Sequence, residues 1–76
     1  MDIGLLWFDN DKKRDLPTKV QRAAEHYQNK FGYLPDVCFV HPSQLPENGN
    51  DVKSGLIMVK PSHTVLRHHF WLGQAE

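Results

Sequence analysis

The chain has 76 residues with nine basic and nine acidic side chains, so formal charge balances and no overall field steers it onto DNA, RNA or an anionic membrane. That length predicts one domain over 1–76, with a core able to supply only a few kcal/mol of net stability. The single cysteine, Cys38, excludes an internal disulfide and predicts a reducing, cytoplasmic setting.

The opening MDIGLLWFDN has Asp2 where a secretory signal carries Lys or Arg, and its apolar run stops at Phe8. This predicts neither a signal nor a membrane span. Ile3 to Phe8 is instead a short continuous apolar run halted by the turn-forming Asp9-Asn10-Asp11, the pattern of a strand buried on both faces. A polar loop, DNDKKRD, leads into the one convincing amphipathic helix, predicted over 16–31. There Leu16, Val20, Ala23, Ala24, Tyr27 and Phe31 share a stripe at helical spacing, opposite Lys19, Arg22, Glu25, His26, Asn29 and Lys30. Pro17 fits only the first turn, with Asp15 or Leu16 as cap, while Gly32 and Pro35 end the helix.

Beyond the helix, Val37 to His41 reads as a second strand stopped by Pro42. Strand, helix, strand is a crossover unit, with the two strands parallel if adjacent. The stretch 42–54 has two prolines, an Asn-Gly and no periodicity, which predicts a loop with one helical turn near 43–45 and a mobile tip at 48–51. Two further strands are expected, over 56–60 and 64–72, joined across Pro61-Ser62 as an antiparallel hairpin, with a fraying end beyond Gly73. The predicted class is α+β, ordered β-α-β-β-β, one helix on a four-stranded mixed sheet.

Pairs such as Leu5 and Trp7 against Leu6 and Phe8, or Val37 and Phe39 against Cys38 and Val40, make both faces of that sheet apolar. One helix covers only one of them. The other must be sealed by the 42–54 loop, with Leu45 and Val52, or by a second copy or another protein. In the last strand Val65, Arg67, His69 and Trp71 share one face, and Leu66, His68, Phe70 and Leu72 the other, the greasier one expected to meet the core.

Chemistry is sparsely signalled. Asp9, Asp11 and His41 would emerge at one sheet edge beside the helix N-terminus, where open α/β sheets bind ligands, with Lys12, Lys13 and Arg14 nearby. That set could hold a divalent metal for hydrolysis, or a phosphate or nucleic acid through the three cations, although Asp-Asn-Asp is also a common turn and Lys-Lys-Arg a common solvated loop. His68 and His69 point to opposite faces of a strand and His63 and His69 lie about 20 Å apart, so neither pair makes a metal site; His68 is expected to be a partly buried sheet residue, and His69 to lie at the surface. Cys38 reads as an inert core residue. No cofactor motif is present. The favoured expectation is a non-catalytic interaction module that binds itself or another protein through the sheet face or the last strand, using Arg67, His69, Phe70 and Trp71.

Overall fold

Residues 4–45 and 52–74 are described by a computed structural model, and the expectations for Ile3, for the 48–51 tip and for the last two residues lie outside them. Strand β1 (Gly4–Phe8) leads into helix α1 (Leu16–Phe31), whose ends are fixed by local chemistry. Asp15 is the N-cap: its Oδ1 accepts the Thr18 N–H at 3.0 Å, and hydrogen bonds from the Thr18 side chain and then its backbone lower the Asp15 pKa. Gly32 closes the helix at φ 85°, a left-handed conformation that costs a glycine nothing, and donates its N–H to the Gln28 carbonyl at 2.8 Å. The buried stripe is Val20, Ala23, Ala24 and Tyr27, with Leu16 and Phe31 partly buried at its ends. Lys19, placed by periodicity on the polar face, is also buried.

After α1 come β2 (Val37–Val40), one 3₁₀ turn (Pro42–Gln44), β3 (Val52–Ser54), β4 (Ile57–Pro61) and β5 (His69–Gly73). The class is α+β, one helix on a mixed sheet, but the sheet has five strands in the order β1-β5-β2-β4-β3 rather than four. The additional strand, β3, falls where a loop was expected. It forms a hairpin with β4 through Gly55 and Leu56, Gly55 taking φ 60° at the first turn position. A glycine there followed by a residue of negative φ is the type II′ turn, which matches the twist of the paired strands. Leu56, expected in a strand, is consequently at the turn tip.

One topological expectation is corrected, and the condition attached to another is not met. β1 and β2 run parallel but are not neighbours: β5 lies between them and is antiparallel to both. β4 and β5 do not form a hairpin, because β2 separates them, paired parallel with β4. Residues 62–68 therefore cross the end of β2, where Ser62 donates to the Val40 carbonyl at 2.8 Å. The last strand begins at His69 rather than Thr64. Just before it, His68 occupies φ 65°, with a hydrogen bond from the His69 N–H to the Leu66 carbonyl closing the turn. His68 is thus an exposed turn residue and not a buried sheet residue.

The helix covers the face presenting Leu5, Trp7, Cys38, Val40, Ile57, Val59, Phe70 and Leu72. Gly4 is held to its size by the opposite face: a methyl there would lie 2.7 Å from Trp71 Cζ2 and 2.8 Å from the Leu72 carbonyl oxygen. Backbone and ring cannot both retreat cheaply. Gly4→Ala should lower unfolding free energy by about 1–3 kcal/mol, measured by denaturant titration, with altered tryptophan fluorescence as Trp71 is displaced.

Candidate functional site

The sheet edge at which β1 and β2 end gathers most of the ionisable residues named from the sequence, and it disperses the expected metal set. Asp9 is buried; its Oδ1 accepts the Asp11 N–H at 3.0 Å, and Arg14 Nη1 lies 3.3 Å from its Oδ2. The same nitrogen is 3.2 Å from Asp11 Oδ2, while Asp11 Oδ1 accepts the Lys13 N–H at 2.8 Å. Both carboxylates are therefore committed to folding the loop around one guanidinium. His41 lies beyond the intervening β5, and its Nδ1 accepts the Ser43 N–H at 3.1 Å, which places any ring proton on Nε2. Its ring centroid is 6.1 Å from that of His63. No three His, Cys, Asp or Glu side chains among the described residues come together as a metal site. Of Lys12, Lys13 and Arg14, only the two lysines project without an ion pair among the described residues.

The uncovered sheet face is the more distinctive surface. Register sets Leu6, Trp71, Phe39 and Lys60 in one row across β1, β5, β2 and β4, with Phe8 and His69 paired beside it at a ring separation of 5.0 Å. Leu6 is 58% exposed and Phe8 53%. The 62–68 crossing shields part of this face: buried Val65, with Thr64, Leu66, His69, Trp71 and Leu6, lines a shallow cleft of about 420 Å³ whose rim carries the exposed Leu66. His69 Nδ1 donates to the Arg67 carbonyl at 2.9 Å, which steadies the ring at the cleft's margin.

This corrects where coverage comes from. The described parts of 42–54 pack on the helix side, where Leu45 and Val52 join Leu16, Pro17 and Val59 around a separate cleft of about 340 Å³. Of the four residues named for partner binding, His69 and Trp71 share the open face and Arg67 lies exposed in the preceding turn. Phe70 is a correction: it is wholly buried against the helix and offers no surface. Leu6, Phe8 and Phe39 were not named, although strand alternation from Leu5 and Trp7 identifies the first two.

Cys38 is buried, and burial pushes its thiol up to about 12. Tyr27 also rises to about 12, first through burial, then through its hydrogen bond with Tyr33 and the charges of Tyr33 and Asp36. The chain matches no protein family, no curated protein and no solved structure. Among the described residues no helix is long and apolar enough to cross a membrane.

Two outcomes follow for stability. Arg14→Ala leaves the Asp9 carboxylate buried without its cation and should cost about 1–2 kcal/mol, less than a fully buried pair because Arg14 is one-third exposed, while Lys12→Ala and Lys13→Ala should stay within about 0.5 kcal/mol; denaturant titration compares them. Because Tyr27 and Cys38 hold their protons more tightly when folded, their stabilisation is complete below their ordinary values of 10.0 and 9.0 and is lost as pH climbs towards about 12. Melting temperatures across that window should fall steeply, and less so in Tyr27→Phe.

Proposed function

We propose that this protein is a non-catalytic interaction module of the cytosol that associates with itself or docks on a protein through its open sheet face. The observation that carries this reading is the row Leu6, Trp71 and Phe39, flanked by Phe8, on the face the helix does not cover. Aromatic side chains fixed on a rigid sheet are the usual anchors of protein interfaces, since they bury much area with few rotamers to freeze. The phosphate or nucleic-acid reading is weaker, because Arg14 is already engaged by Asp9 and Asp11.

Sedimentation velocity from low to high micromolar concentration tests the reading, alongside photo-crosslinking in cells from a probe at Leu66 or, as control, at Lys30. Concentration-dependent association, or a protein adduct at position 66 alone, is expected, and either should disappear in Trp71→Ser. A monomer throughout with no face-specific adduct would defeat the proposal. Binding of single-stranded RNA at low salt that vanishes in a Lys12→Ala, Lys13→Ala double variant would favour the alternative instead.

A further inference from the structure

The two edges of the sheet are not equivalent. β3 has three residues and presents the exposed Lys53, both of which discourage another strand from adding on. β1 has five residues, GLLWF, with no charge and no proline, and among the described strands it pairs on one side only, with β5. A long apolar edge of this kind is a template for strand addition unless something occupies it.

Which backbone groups face outward follows from the ladder. Asp9 donates to the carbonyl of its opposite residue, His68, at 2.9 Å, so Asp9, and by alternation Trp7 and Leu5, bond inward to β5. Gly4, Leu6 and Phe8 then direct both N–H and C=O away from the sheet. These same three positions belong to the open face.

We infer that β1 is the seam of a homodimer, in which a second copy adds its own β1 antiparallel with Leu6 opposite Leu6 and Phe8 opposite Gly4. The inference rests on the interaction-module reading and specifies its partner as this chain. In that register every outward residue of one strand meets an outward residue of the other, and each opposed pair exchanges two hydrogen bonds. The contact is isologous, so it closes after two copies and uses up the edge that would otherwise propagate. Side chains fit the same register. Each Phe8 arrives beside the bare Gly4 of the other copy, where the Trp71 indole lies close over the backbone and offers its surface. No charge on Gly4–Phe8 opposes a copy of itself. The two open faces then lie on one side of a continuous sheet, with the Leu6 side chains touching at the two-fold axis.

The size of the seam sets its strength. Five residues at about 3.4 Å each make a seam about 17 Å long, and the molecule is 21 Å across its shortest dimension, giving on the order of 350 Å² per protomer. A stable standard interface buries roughly 800 Å² per partner, so this dimer belongs to the weak class, with dissociation in the micromolar range.

Cysteine scanning against the native background tests the register. Cys38 is buried and its thiol is poorly ionised, so the wild-type protein should not cross-link. Opposed residues in a bonded antiparallel pair lie about 5.5 Å apart at Cα, within disulfide range. Leu6→Cys at micromolar concentration with oxidised glutathione should therefore give a dimer that dithiothreitol reverses. Phe8→Cys should not, because the two copies of position 8 are offset by about 14 Å. Leu6→Pro removes an outward N–H while sparing the bonds to β5, and should weaken association roughly tenfold or more. Equal cross-linking of both cysteine variants, or of neither, overturns the seam. If Leu6→Pro folds and leaves wild-type association unchanged while Trp71→Ser abolishes it, the seam fails but the open-face reading survives. Should Leu6→Pro not fold, the cysteine pair decides alone.

Discussion

Phe70 and Leu72, wholly buried on β5, form the contact on which the other parts depend. They place β5 inside the sheet, between β1 and β2, and bring it directly under α1. Without β5 the crossover unit would have its first and second strands a full strand-width apart, with no ladder holding them. The N-terminal strand would then contribute an apolar ribbon bonded to nothing. The pairings of largest sequence separation, such as Leu5 with Leu72, complete the core. A fold organised this way leaves its first strand at an edge, because that strand has only β5 to lean on.

Elements whose limits are written in adjacent residues could be read from the sequence. Asp15, Pro17 and Gly32 mark the ends of α1 by capping chemistry that acts within one turn, and the stripe from Leu16 to Phe31 identifies its buried side. β1 and β2 were legible as apolar runs between turn residues. The Gly55-Leu56 turn was present in the sequence as a Gly-first pair, but Val52-Lys53-Ser54 is too short and too polar to stand out as a strand. Residues 64–68 mislead in the opposite direction. Thr64, Val65 and Leu66 have strand-like side chains, and the chain turns at His68, which adopts a conformation that glycine or asparagine would have advertised.

Strand order lay beyond local reading for a different reason. Adjacency of β5 to β1 and β2 is decided by which apolar faces meet between segments far apart in the chain, and no nearby residue encodes that choice. The candidate metal set failed on this point: Asp9 and His41 follow the two parallel strands of the crossover, but the inserted strand keeps them apart while Arg14 claims both carboxylates. Conversely, the excess of apolar strand surface depended only on alternation, which survives any permutation of the strands. That is why the open face could be anticipated although its neighbours could not.

The two sheet faces differ in what covers them: one lies under the helix and the other is shielded only in part, by residues 62–68. Beneath the helix, Ala23 and Ala24 let the helix approach closely, and the space beside them is filled by the large side chains of Tyr27, Phe70 and Leu72. The open face carries large side chains as well: Trp71, Phe39, Phe8 and Leu6. A sheet face meant only for water would alternate to polar residues at these positions, as antiparallel sheets with one solvated side do. Trp71 sits on β5, a strand bonded on both sides, and Gly4 keeps the neighbouring position clear of the ring. A large ring held on a strand bonded on both sides has little entropy left to lose when something covers it.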